Sequence, residues 1–241
     1  MLHLPKLNHQ YVFPPTSNAL TEPNGLLAFG GDLSVRRLKL AYQQGIFPWF
    51  NQDEPILWWS PSPRAVIELD QFHCSKSLKK LINKRIYSLT LNYAFDRVIE
   101  ACASVKRIPS GDFSNIETPT WICPTMISAY QQLHRAGLAS SIEVWREDEL
   151  VGGLYGVTLG ALFCGESMFH KVSNASKLAF WGLVQHMRKH QLAFIDCQIE
   201  NPHLTSLGCK TIPRSAFLDK LTHAQTLEID LAIWQSQRIN Y

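Results

Sequence analysis

Residues Glu149 to Phe169 read ELVGGLYGVTLGALFCGESMF. Val, Leu, Tyr and Phe suit a pleated, half-buried surface, and the scattered glycines mark turns, bulges or close backbone approach. The stretch is therefore read as two strands joined at Thr158–Gly160. One acid, Glu166, stands in it, and a carboxylate in so apolar a strand is costly unless a partner or a substrate satisfies it. A bulge at Gly165 would bring Phe163 and Glu166, three residues apart, onto one side. Residues 193–200, AFIDCQIE, make a second such strand with Asp196 at its centre. Residues i and i+2 of a strand face the same way, so Asp196 and Gln198 are expected to share a face. That pair is read as functional rather than as core filler.

Working outward, Ser140–Arg146 is a strand that completes an antiparallel meander with the first two. Residues 174–192 (NASKLAFWGLVQHMRKHQL) form a long helix capped by Ser173 or Asn174. Upstream lie a strand at Ala65–Leu69, a basic helix at Ser75–Asn83, a strand at Ile86–Leu91, and helices at Tyr93–Ser104 and Thr125–Ala136. The polar stretch 105–120 reads as a loop. Downstream come a strand at Cys209–Ile212 and a helix at Ser215–Thr222. This order fits a mixed α/β domain of the N-acetyltransferase-like type, in which the strands flanking the long helix are parallel neighbours that splay apart and the acyl donor enters the gap.

Residues 1–64 differ in composition, holding eight of the thirteen prolines, and are read as a small N-terminal domain with little regular structure. Their one clear helix is capped by Asp32 or Ser34 and stopped by Gly45. Trp58 and Trp59, in loop-like sequence, are read as knitting that domain together. Trp49, at a loop tip between Pro48 and Phe50, is the better stacking platform for a base. Residues 65–241 form the second domain.

With 46% hydrophobic and 18% charged residues the chain is globular, and a net charge of +3 is too small to announce nucleic-acid binding. Any basic patch must be local. The densest is Lys76, Lys79, Lys80, Lys84 and Arg85, which is either a solvated face or a polyanion contact. Six cysteines show no C-x-x-C spacing. No basic-then-apolar leader and no long apolar span are evident, so a reduced, cytoplasmic protein without membrane association is expected. No interface helix stands out, and a monomer is expected. His186 and His190 have metal spacing but no third ligand nearby, and are read as solvated surface, with no metal. Phosphate-loop, dinucleotide and hydrolase-elbow motifs are missing. The junction MFHKVSNASK holds no glycine to cradle a coenzyme A pyrophosphate, and no cofactor is expected.

EPNGLLAFGGDLS, GIFPWF, WWSPSPRAV, SIEVWREDELVGGLYGV, FCGESMF, NASK, IDCQ and HLTSLG together resemble the leucyl/phenylalanyl-tRNA–protein transferase family over nearly the whole chain. The resemblance implies transfer of Leu, Phe or less readily Met from the 3′ acceptor end of aminoacyl-tRNA to proteins with N-terminal Arg or Lys, which marks them for degradation by the bacterial N-end rule. Exchanging an ester for an amide runs downhill, so the transfer needs no ATP. The resemblance makes Asp196 and Gln198 the catalytic pair, with Glu166 near the acceptor amine. Trp49 and Trp121 would stack on the terminal adenosine, and the Lys76–Arg85 cluster would meet acceptor-stem phosphates. Leu154, Phe163, Met168, Phe180, Leu183, Met187 and Ile195 would line the amino-acid pocket. Leu183 and Met187 stand where some members carry phenylalanine. On physical grounds Gln198 would orient the amine and Asp196 supply negative charge, with the tRNA hydroxyl as a candidate proton shuttle.

Overall fold

The computed structural model describes residues 4–105 and 121–241; the loop read at 105–120 lies, but for Val105, outside them. The strands are β1 (Lys6–Leu7), β2 (Leu26–Gly30), β3 (Phe47–Pro48), β4 (Leu57–Trp59), β5 (Arg64–Glu68), β6 (Ser88–Leu91), β7 (Ala139–Arg146), β8 (Glu149–Leu159), β9 (Leu162–His170), β10 (Phe194–Gln198), β11 (Lys210–Ile212) and β12 (Gln237–Ile239). The α-helices are α1 (Val35–Gln43), α2 (Lys76–Lys84), α3 (Phe95–Ala103), α4 (Pro124–Arg135), α5 (Ala175–Lys189), α6 (Pro202–Thr205) and α7 (Arg214–Thr226). They build a mixed α/β fold with two sheets, one ordered β1-β2-β4-β3 and one ordered β11-β5-β10-β9-β8-β7-β6-β12.

The first sheet corrects the reading of residues 1–64 as largely irregular. Trp58 lies on β4, fully buried, with its ring edge-on to Phe13 at 4.9 Å and its Nε1 donating to the Gly30 carbonyl at 2.9 Å. Ser34 caps α1 by accepting from the Arg37 N–H, while Asp32 accepts from the Ser34 N–H and pairs with the buried Arg37 guanidinium. Pro-rich sequence conceals such a sheet because its strands are two to five residues long, too short for period-2 patterning to register.

In the large sheet β7, β8 and β9 form the antiparallel meander, with the turn one residue later than read: Leu159 pairs with Leu162 across Gly160–Ala161. Both faces of β8 are covered. A side chain on Gly152 would strike Ala175 of α5, and one on the next residue, Gly153, would meet Val98 of α3. Successive residues of a strand point to opposite faces, so α5 and α3 lie on opposite sides of the sheet. Helix α5 then returns the chain to β10, which runs parallel to β9.

Three smaller corrections concern ends and exposure. Asn174 occupies the start of α5 in a left-handed conformation and caps nothing with its side chain. His186 is not on a solvated surface. Its ring is buried 4.8 Å from that of His190 and 5.2 Å from Trp234, and burial followed by the His190 and Lys189 charges lowers its pKa to about 4. The last residues, unread in the sequence, supply β12 at the sheet edge, and Tyr241 donates to the Tyr87 carbonyl at 2.7 Å.

Candidate active site

Strands β9 and β10 pair through Phe194↔Leu162, Ile195↔Phe163 and Asp196↔Cys164, and there the parallel ladder ends. Both strands are irregular at that point. On β9, Tyr155 pairs with Ser167 and the next β8 residue, Gly156, pairs with Gly165, so Glu166 is the extra residue of a bulge. Gly156 makes this geometry accessible, because a Cβ there would collide with the Cys164 carbonyl and the Phe163 ring. On β10, Asp196 pairs with Val66 and Gln198 with Ala65, so Cys197 is the extra residue, and Gln198 takes a left-handed φ of 57°. The bulge expected at Gly165 is therefore present. The expectation that Asp196 and Gln198 share a face is corrected, since simple alternation fails across the second bulge.

The two acids consequently live in different surroundings. Asp196 is fully buried, and its Oδ1 and Oδ2 accept from Nε and Nη2 of Arg64 at 2.8 and 2.7 Å. Its Oδ1 also accepts from the Gln198 backbone N–H at 3.0 Å. Arg64, which opens β5, donates further to the Gly45 carbonyl at 3.0 Å and lies over the rings of Phe217 and Phe47. Burial pulls its pKa down, but the charge and hydrogen bonds of Asp196 carry it upward overall, so the guanidinium keeps its charge.

Glu166 faces a cavity on one side and protein on the others. Its Oε1 accepts from Tyr42 Oη at 2.7 Å and from Gln198 Nε2 at 3.0 Å, and its Oε2 accepts from Tyr130 Oη at 2.9 Å. The two tyrosine oxygens are themselves 2.5 Å apart. Three O···O contacts thus link three groups, while two hydroxyls supply only two protons. A third proton, on the carboxyl, closes the ring with every contact satisfied. The pKa of Glu166 follows suit. Burial raises it, the two tyrosine hydrogen bonds oppose that, the Asp196 charge raises it again, and it stands at about 7.

Two cavities meet at this point. The larger, about 630 Å³, falls within the ~300–1,000 Å³ range of small-molecule sites. Five of the predicted pocket residues line it, namely Leu154, Phe163, Met168, Phe180 and Leu183. Met187 and Ile195 do not; both are fully buried in the core and line neither cavity, so their predicted place is corrected. Helical and strand periodicity mark burial but not which buried side chains border empty space. The smaller cavity, about 290 Å³, is lined by Trp49 and Trp121 among others. Trp49 is 42% exposed, and its carbonyl accepts from Trp59 Nε1 at 2.7 Å. Glu166 and Gln198 line both cavities.

Lys76, Lys79, Lys80, Lys84 and Arg85 are exposed on α2 and its C-cap, and line neither cavity. Among the described residues no cluster of three or more His, Cys, Asp or Glu could hold a metal ion, and no helix is long and apolar enough to cross a membrane. Sequence reasoning missed Arg64, Tyr42 and Tyr130. Arg64 had a signal, an arginine opening an apolar strand, whereas Tyr42 and Tyr130 look like ordinary core positions of amphipathic helices. A further acid, the fully buried Glu143 on β7, was also passed over. It accepts from Ser141, Thr90 and the Tyr93 N–H, burial raises its pKa, and it lines neither cavity.

Comparison with known proteins gives a consistent result. The family model described as Leucyl/phenylalanyl-tRNA protein transferase matches residues 66–222, and the one for that protein's N-terminal domain matches residues 31–62. The leucyl/phenylalanyl-tRNA–protein transferase of Pseudoalteromonas atlantica is 56% identical, covering 97% of this chain and 97% of its own. Its namesake in Pseudoalteromonas translucida is 53% identical over 97% of this chain and 94% of its own. That of Pectobacterium carotovorum is 53% identical over 94% and 93%.

Proposed function

The chain belongs to the leucyl/phenylalanyl-tRNA–protein transferase family and is an aminoacyltransferase, and from that premise we propose that it moves leucine, phenylalanine or, less readily, methionine from aminoacyl-tRNA to the α-amine of proteins beginning with Arg or Lys. The observation that carries this reading is the junction of the two cavities at Glu166 and Gln198. An apolar pocket for the aminoacyl side chain and an aromatic-lined recess for the terminal adenosine adjoin where the ester linking them would lie. We further propose the division into a small N-terminal domain, 1–64, and an N-acetyltransferase-like catalytic domain, 65–241, acting in the cytoplasm as a monomer. The parallel β9–β10 pair, whose ladder ends at Asp196↔Cys164, after a meander and crossover helix supports that fold type.

In this reading Trp49 and Trp121 stack on the adenosine, a contact worth roughly 1–3 kcal/mol per base. The α2 cluster takes backbone phosphates outside the cavities. The donor side chain occupies the pocket of Leu154, Phe163, Met168, Phe180 and Leu183. The acceptor's α-amine, with a pKa near 8 (roughly 7.7–8.0), is readily deprotonated near neutrality and attacks the ester carbonyl. Gln198 orients that amine. Glu166, whose pKa of about 7 suits proton exchange at neutrality, takes the proton the amine loses on attack, which completes the hydroxyl ring, and returns it to the tRNA ribose oxygen that leaves as the ester C–O bond breaks. Asp196 acts at one remove. Its charge is held by Arg64, and it fixes the bulge that aims Gln198 by accepting the Gln198 N–H.

The test is transfer of radiolabelled leucine from Leu-tRNA to a peptide beginning with Arg, wild type beside Gln198→Ala. Label in the peptide with wild type, and a large loss of kcat with the variant, is expected. A wild-type protein that binds the tRNA and transfers nothing would sink the reading.

A further inference from the structure

The proposed acceptor is dicationic until its α-amine is deprotonated, and its Arg or Lys side chain stays charged throughout. Among the described residues neither cavity is lined by lysine or arginine, and the carboxylates that line them are Glu166 and Glu200. Glu166 is engaged by two tyrosines and Gln198 and shares their protons. Glu200 is exposed, lines the smaller cavity and, among the described residues, gives only Oε1 to a long hydrogen bond from Thr205 Oγ1 at 3.3 Å. Its Cα lies two residues beyond Gln198, hence no more than about 7 Å away, a span an extended Arg or Lys side chain covers. Gln198 and Glu200 also line the same small cavity, so an amine held at Gln198 carries its cation into the space that Glu200 borders.

We propose that Glu200 is a specificity-determining residue that receives the cationic side chain of the acceptor's first residue. The proposal rests on the Arg/Lys acceptor reading above. It assigns the two carboxylates separate tasks, Glu166 to the α-amine and Glu200 to the side chain. The carboxylate is solvent-exposed, so its effect is modest and salt-sensitive.

The experiment compares wild type, Glu200→Gln and Glu200→Lys in leucine transfer from Leu-tRNA to two peptides, one beginning with Arg and one with its neutral isostere citrulline. In Glu200→Gln the KM for the Arg peptide is expected to rise about two- to fivefold. The preference for Arg over citrulline falls equally, while kcat and the KM for Leu-tRNA hold. Glu200→Lys enlarges the change, and raised salt shrinks it. An Arg-over-citrulline preference unaltered in both variants overturns the proposal. So does a change confined to the KM for Leu-tRNA, which sets Glu200 against the nucleic acid. If wild type transfers to the citrulline peptide as well as to the Arg peptide, the acceptor reading itself falls and this proposal with it.

Discussion

Glu166 and Asp196 stand on adjacent parallel strands, each at a bulge, yet the protein treats them in opposite ways. Around Asp196 it supplies a full countercharge in bidentate geometry, with an N–H besides. Around Glu166 it supplies neutral donors and leaves them one proton short. A buried carboxylate must be satisfied, and the manner decides its use. A guanidinium fixes the charge and makes the acid a strut. Hydroxyls leave the charge negotiable and make the acid able to exchange a proton.

The largest effect that would break this contrast is on the strut. Arg64→Met leaves a buried, unpaired Asp196 and is expected to cost about 3–5 kcal/mol of stability in urea unfolding. The double variant Arg64→Met/Asp196→Leu should recover most of it. A loss under about 1 kcal/mol in the single variant would mean that Asp196 is not held as an ion by Arg64.

On the other side of the comparison, Glu166→Gln keeps the ring intact, because the amide N–H₂ supplies the missing proton, but removes the base. Transfer should fall about 10²-fold, in the usual range for lost general-base catalysis. Stability gives an independent readout. Folded Glu166 retains its proton up to about pH 7, while the unfolded carboxyl releases it near its ordinary value of 4.5. The folded state therefore binds more protons between those values, and stability falls as pH rises through that window. The decline is no more than about 3 kcal/mol and is flat above pH 7. Glu166→Gln should abolish that slope; a slope that persists assigns it to another group.

The smallest effect sharpens the contrast. Tyr42→Phe removes one of the two hydroxyl donors that hold the Glu166 pKa down, so the acidic limb of the pH–rate profile should move to higher pH. Transfer at pH 7 should drop about fivefold, as for loss of one hydrogen bond. An unmoved limb would separate Glu166 from the titration that governs the rate.

Much of this was legible beforehand, and the exceptions have physical causes. The meander, the long helix and the strand after it follow from periodicity and composition. The bulge at Gly165 was readable because an acid three residues from an aromatic cannot share its face on a regular strand. The bulge at Cys197 was not, since IDCQ alternates without a flaw and only the pairing with β5 reveals the slip. Tyr42 and Tyr130 escaped because their partners come from distant segments and local pattern carries no trace of them, whereas Arg64, an arginine opening an apolar strand, left a signal without naming its partner. The pocket was overfilled with Met187 and Ile195 because sequence identifies apolar positions, not the void beside them.

One feature of the ring bears on how the protein is made. Tyr42 meets Tyr130 and Glu166, which follow it by 88 and 124 residues. Synthesis proceeds from the N-terminus, so α1 emerges while the Tyr42 hydroxyl it carries still lacks any counterpart. A translation product abandoned before β9 retains the aromatic shelf of Trp49 without Glu166, the proton-exchanging member of the ring. Competence for aminoacyl transfer thus arrives late and all at once, as a certificate of a chain read through to its final third.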